Sequence, residues 1–352
     1  MPRERELAYP HDVSTGGMLA IQPIMDMERR APSGAVGSEE NTVANGAANY
    51  TEELVMALIT TQLTIMSFPV FNVQIVPFSS NFENLFGADA KIPGSAKIAP
   101  FYMQFKRPTR STQTGKISLD RAALGLGCTT GSLHFNLRKK ANASIPVHKL
   151  QHNVLYRMRA RLLGRGIGDA AYVCSLFLSS KDYVAHTHLH GLLGWPGYWL
   201  NGPYSNQHVV VHGAAPATFS SIPWLEGHVS IPPHDTVASA SHSYSFDPTG
   251  GEVCFHSPRL LDGRRQTLPS WIANLAESTK FDRAPAIGRS DELLAELRNV
   301  AGLPLEPHRD PDREGLTVEP QRERDHATEW MTFGDQLEEH FGISQFAFIR
   351  ES

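Results

Sequence analysis

Cysteine is nearly absent: Cys128, Cys174 and Cys254 are the only three in 352 residues, and they lie far apart. Such thiols build neither a disulfide framework nor a CxxC metal site, which points to reduced cysteines and a cytoplasmic location. Long apolar runs are missing as well. None approaches the ~18–20 residues of a membrane span, and the opening MPRERELAYPHD lacks the apolar stretch of a secretory signal, so no membrane association is expected. Charge is sparse, with 19% charged residues and a net charge of −4. That excludes a disordered polyelectrolyte and restricts any nucleic-acid site to a local patch. No internal repeat is present.

What is there divides into three parts. Residues 1–48 are rich in Pro, Gly, Ser and Ala without periodicity, and read as a flexible tail. From Thr51 the texture changes: TEELVMALITTQLTIM has no Pro or Gly and carries its acids in the first turn, which predicts a helix broken at Phe68-Pro69. PVFNVQIVPF has the make-up of a strand. LFGADAKI and IAPFYMQF, separated by Pro93-Gly94-Ser95, predict an antiparallel hairpin. SLHFNLRKK is a further strand candidate. VHKLQHNVLYRMRARLL reads as a helix stopped by GRGIG, and DAAYVCSLFL as a buried strand. The order over 51–178 is therefore α-β-β-β-insert-α-β, a mixed α/β core. A loop-rich inserted region follows, with SHSYSF and EVCFHS as a late strand pair. The division predicted is 1–48 as tail, 49–265 as the main domain, and 266–352 as a helical, acidic C-terminal appendage.

Chemistry concentrates at Gly87-Ala88-Asp89 and Gln104-Phe105-Lys106. Alternation along a strand directs Gln104 and Lys106 to one face and Phe105 to the other. With Asp89 on the neighbouring strand, a carboxylate, an amide oxygen and an ammonium converge. Hard cations take oxygen ligands, so Asp89 and Gln104 suit Mg²⁺ or Mn²⁺. A metal there activates water and stabilises phosphate charge, with Lys106 assisting. Taken singly, Asp89 after Gly87 is an ordinary turn residue; the ordered set gives it weight.

The acidic helix, the GAD strand and the QxK strand together resemble the PD-(D/E)xK, or restriction-endonuclease-like, nuclease superfamily. Its core is αβββαβ, and its Gln-x-Lys variant is similar to that of Mrr-type enzymes. The resemblance covers about a third of the chain. It implies an α/β fold with a mixed central sheet and a Mg²⁺-dependent endonuclease cutting DNA in restriction, phage defence or repair. It implies Glu52, Asp89 and Gln104 as metal ligands and Lys106 as the catalytic lysine. Glu53, Gln151 and His152 stand as supporting residues. The literal Pro-Asp pair is absent, since Ala88 precedes Asp89. Double-strand cutting by a one-site enzyme of this kind implies a homodimer.

Thirteen basic residues and a single acid, Asp120, fall between 101 and 165, the local positive surface a phosphodiester requires. Arg107, Arg110, Lys139, Lys140, Arg157 and Arg161 are the predicted nucleic-acid contacts, and Arg157, Arg161 and Arg165 share a helical stripe. Trp195, Tyr198, Trp199, Tyr204 and Trp224 offer stacking surfaces. Two alternatives follow. One is a catalytically degenerate nuclease fold that only binds nucleic acid or a partner. The other is a His-based metalloprotein, since eleven of sixteen histidines lie between His148 and His256 and His186, His188 and His190 would share a strand face.

Overall fold

Helix α1 (Glu52–Ser67) carries Glu52 and Glu53 in its first turn, and Thr51 Oγ1 accepts a hydrogen bond from the Leu54 amide at 3.4 Å. Val55, Ile59 and Leu63, spaced four apart, are its fully buried face. The computed structural model describes residues 46–67, 74–78, 92–126, 131–137, 146–188, 225–239, 241–256, 259–261, 266–303 and 326–350. Along the chain α1 is followed by β1 (Gln74–Pro77), β2 (Lys97–Lys106), β3 (Thr109–Arg110), α2 (Lys116–Ala123) and β4 (Leu133–Asn136). Then come α3 (Gln151–Arg165), β5 (Ala170–Ser175), β6 (His228–Ile231), β7 (Ser243–Phe246), β8 (Cys254–Phe255) and β9 (Arg259–Leu260). The last elements are α4 (Leu268–Ser278), α5 (Asp291–Ala301), α6 (His326–Phe341) and β10 (Ser344–Arg350).

Two five-stranded sheets result, ordered β1-β10-β2-β5-β6 and β3-β4-β7-β8-β9. The first is mixed, because β2 and β5 run parallel while the other pairs are antiparallel. The parallel pair needs a crossover, and α3 supplies its last step. Val154, Leu155, Met158 and Leu162 bury one stripe of α3, and Gly166 ends the helix in the left-handed region at φ 68°. The second sheet is antiparallel throughout. The predicted late strand pair is β7 and β8.

The chain is mixed α/β, as its element pattern implies. Among the described residues, the ladder neighbours of β2 are β10 and β5, and β10 comes from the far end of the chain. Of the predicted hairpin partner 85–92, all but Ile92 lie outside the described residues. One sequence expectation needs correction. The C-terminal segment is no appendage: β10 lies inside the main sheet between β1 and β2. Its alternating Phe346 and Phe348 stack on Phe101. A run as short as SQFAFIR, following a long helix, carries no signal of which distant strands it will join.

Helix α6 is fixed over this sheet by a chain of hydrogen bonds. Trp330 Nε1 donates to Ser290 Oγ at 2.7 Å, Gln345 Nε2 donates to the Trp330 carbonyl at 2.9 Å, and Tyr102 Oη donates to Gln345 Oε1 at 3.3 Å. Close approach at Gly334 completes the fit. A Cβ there would sit 1.8 Å from the Phe78 carbonyl oxygen, so only glycine is accommodated.

Candidate functional site

Strand β2 extends three residues past its ladder with β10, whose first pair is Ser344 with Met103. Phe105 packs edge-on against Phe346 in the aromatic core. Gln104 and Lys106, one residue to either side, are therefore directed to the opposite face, as strand alternation requires. Both are buried, at 1% and 3% exposure. Lys106 Nζ lies 3.5 Å from Glu52 Oε1, which reaches down from the first turn of α1. Gln104 Oε1 is enclosed and has no hydrogen-bond partner among the described residues, a costly state for an acceptor that nothing satisfies.

Glu52 and Lys106, but not Gln104, border a cleft of about 620 Å³ that is also lined by Glu53, Phe105, Asn136 and Glu338, among others. Three carboxylates thus face one ammonium. Glu53 is held below the usual carboxylate range by hydrogen bonds from its own amide and from Thr51. Glu338 is pushed up, first by burial and then by the neighbouring charges of Asp335 and Glu53. Oxygen donors of this kind fit a hard divalent cation.

The predicted residues fare unequally. Glu52, Gln104 and Lys106 come together at the end of β2, with Glu53 at the rim. Asp89, Lys139, Lys140, His190 and the aromatic group Trp195 to Trp224 lie outside the described residues. Gln151 Nε2 donates to the Phe341 carbonyl at the end of α6, which ties α3 to the helix that carries Glu338. His152 is structural instead of supporting. Its ring contacts Tyr172 Oη at 2.9 Å and the Asp235 carbonyl at 2.6 Å, and burial lowers its pKa to about 4.

The basic stripe also has internal partners. Arg161 pairs with Glu296 at 2.9 Å, and Arg165 pairs with the same residue at 2.7 Å. Arg157 donates to the carbonyls of Asn153 and His148. Arg107 donates to the carbonyls of Ala48 and Tyr50, so it anchors the approach to α1 and with it Glu52. Arg110 is exposed and keeps its charge at the surface.

Among the described residues, the histidines do not assemble as a strand-borne metal site. Residues 180–188 are helical, so His186 and His188 point about 200° apart around the axis. His228 contacts Tyr183 Oη at 2.8 Å and the Leu225 carbonyl at 3.1 Å. His234 contacts Tyr244 Oη at 2.9 Å. Among the described residues, the single group of three His, Cys, Asp or Glu ligand atoms within 4.8 Å of one another is Asp291, His326 and Glu329.

One constellation escaped sequence reasoning altogether. Asp120 Oδ2 lies 3.0 Å from His256 Nδ1, and His256 Nε2 lies 2.8 Å from Ser245 Oγ. The distances match a serine hydrolase relay, but Ser245 has no exposure and already accepts from Arg121 Nη1 at 3.2 Å. A nucleophile needs access, so this is a structural network holding α2 to the second sheet. The three residues are scattered over 136 positions of chain, and only the β7–β8 pairing brings two of them together.

The fold and site thus define a mixed α/β protein with a carboxylate–lysine cleft at the end of the central strand of its main sheet. No family model, curated protein or solved structure matches the chain. None of the described helices is long and apolar enough to cross a membrane.

Proposed function

We propose that this protein is a metal-dependent nuclease that hydrolyses phosphodiester bonds in DNA, with a restriction-endonuclease-like core. The observation that carries the reading is the meeting of Glu52 with buried Lys106 at 3.5 Å, two residues along β2 from Gln104, whose oxygen has no hydrogen-bond partner among the described residues. Glu52, Gln104 and Asp89 would hold Mg²⁺ or Mn²⁺. The metal, when bound, supplies Lewis acidity and a water of lowered pKa. Lys106 supplies a fixed positive charge at the attacking water or the phosphoryl oxygen, in a nearly enclosed position where its field is little screened. Glu52 holds the Lys106 ammonium in place, and Phe105 locks the strand from behind. A protein acting in this way on both strands with one site per chain works as a homodimer.

The test is cleavage of plasmid, single-stranded DNA and RNA with Mg²⁺ or Mn²⁺. Lys106→Met, Glu52→Gln and Asp89→Ala should each lower the rate at least about a hundredfold with an unchanged circular dichroism spectrum. Gln104→Leu, similar in size but unable to coordinate, should do the same. Undiminished cutting by these variants overturns the assignment. DNA binding without cleavage under every metal condition replaces it with the catalytically degenerate binder.

A further inference from the structure

Where helices α5 and α6 begin, an imidazole and two carboxylates meet. Helix α6 starts with His326 and carries Glu329 one turn on, so the two side chains share a face. Asp291 opens α5. His326 Nδ1 lies 2.8 Å from Asp291 Oδ1, and one ligand atom from each of the three residues lies within 4.8 Å of the other two. Donor atoms held at about 2.0–2.2 Å around one tetrahedral ion sit roughly 3.3–3.6 Å apart, so small side-chain rotations bring the set onto an ion. The backbone beneath is fixed by other contacts. Trp330 Nε1 donates to Ser290 Oγ at 2.7 Å, and that hydroxyl donates to the Ile287 carbonyl at 2.6 Å. Trp330 and Ser290 are buried and are the chain neighbours of Glu329 and Asp291. The ligand positions on the two helices are thereby held in register, as a metal site requires.

Helix dipoles favour an acid in each first turn taken singly. They do not account for two carboxylates brought within 4.8 Å of each other beside an imidazole, with Glu329 half-buried. Among the described residues no Lys or Arg pairs with either carboxylate. Asp291 pairs with His326, and Arg298 directs its guanidinium to the Glu329 carbonyl and to Gln336. Like charges so placed are stabilised by a cation between them. We propose that Asp291, His326 and Glu329 bind a borderline divalent metal, Zn²⁺ or Co²⁺ in preference to Mg²⁺ or Ca²⁺. One imidazole nitrogen and two carboxylates suit an ion that bonds nitrogen as well as oxygen. The positive ends of two helices weaken the mainly electrostatic attraction on which Mg²⁺ and Ca²⁺ depend. Water completes the coordination, since Asp291 and His326 are partly exposed. This site is separate from the cleft, because Glu329 lies about 14 Å of helix rise before Glu338. Bound metal clamps the start of α6 to α5 and so steadies the helix that leads into β10.

The experiment is Zn²⁺ titration of the full-length, metal-free protein by calorimetry, with thermal melts and the visible absorption of added Co²⁺ as further readings. His326→Ala and Glu329→Gln should each weaken Zn²⁺ binding at least about tenfold, and His326→Ala should abolish the Co²⁺ absorption. Glu329→Gln keeps the size and removes the charge, so it reads the site even where His326→Ala fails to fold. His340→Ala, which removes an exposed histidine at the other end of α6, should leave Zn²⁺ affinity unchanged. Zn²⁺ at a hundredfold excess over its Kd should raise the wild-type melting temperature by about 4 °C, and Mg²⁺ at the same concentration should not. Wild-type Zn²⁺ affinity in both ligand variants, equal weakening in His340→Ala, or no binding by the wild type at about 100 μM Zn²⁺ overturns the proposal. An equal melting shift with Mg²⁺ overturns it as well.

Discussion

Ser245 sits between two partners, donating to His256 Nε2 and accepting from Arg121, while Arg121 also pairs with Glu252 Oε2 at 2.9 Å. Removing its hydroxyl strands a buried imidazole nitrogen. Ser245→Ala should therefore cost about 1–3 kcal/mol in chemical denaturation while leaving metal-dependent cleavage at the wild-type rate. A hydrolytic role for the relay would reverse that pattern. Arg121→Met should cost about 3 kcal/mol, the low end for a broken buried pair, because Glu252 remains 42% exposed. Glu338 behaves in the opposite sense. Its folded pKa is raised, so it contributes stability below its unfolded pKa that is lost as pH rises through the folded value. Glu338→Gln should be more stable than wild type at pH 7, and the difference should vanish near pH 4. Melting curves at the two pH values read this directly.

At the scale of elements, α3 has a legible pattern and a hidden destination. Its apolar spacing identified the buried face from residues alone. The basic spacing at Arg157, Arg161 and Arg165 was equally visible, but its partner α5, with Glu292 and Glu296, lies more than a hundred residues away. Charges already paired with carboxylates release few counterions from DNA. Arg161→Ala should leave the salt dependence of DNA affinity unchanged. Arg110→Ala should lower the slope of log K against log salt by about one unit. Fluorescence anisotropy over a series of salt concentrations separates the two. The segment around His186 shows the complementary error: an alternating His-x-His reads as strand chemistry, yet SKDYVAHTH continues a helix in which that spacing disperses the rings.

At the scale of the whole molecule, β10 is the keystone of the main sheet. Phe346, Ala347, Phe348 and Ile349 are all buried. At about 1.5–3 kcal/mol for each large apolar side chain, their loss alone rivals the ~5–15 kcal/mol net stability of a typical domain. A chain ending at Ile343 should fail to fold, seen as loss of the far-ultraviolet dichroism and of a monodisperse elution peak. Buried neutral histidines set the acid limit of the same core. Burial lowers His152 and His228 from 6.5 to about 4. The stability they confer is complete above pH ~6.5 and is lost as pH falls towards 4, since the unfolded chain takes up protons first. Imidazole NMR signals should show both rings neutral at pH 5, and melting temperature should drop across that window.

The sequence by itself determined the local structure. Glu52 and Glu53 at a helix start, the α3 stripe, the β7–β8 pair and the alternation that sets Gln104 and Lys106 against Phe105 all follow from short-range sterics and periodicity. It also brought Glu52, Gln104 and Lys106 forward as candidates for one site. Tertiary structure alone decided which strand lies beside β2, which acids neutralise α3, and that Glu338 borders the cleft. The β2–β10, α3–α5 and cleft contacts join residues separated by more than a hundred positions. They are selected by which surfaces bury together, and no local pattern in the chain encodes that choice.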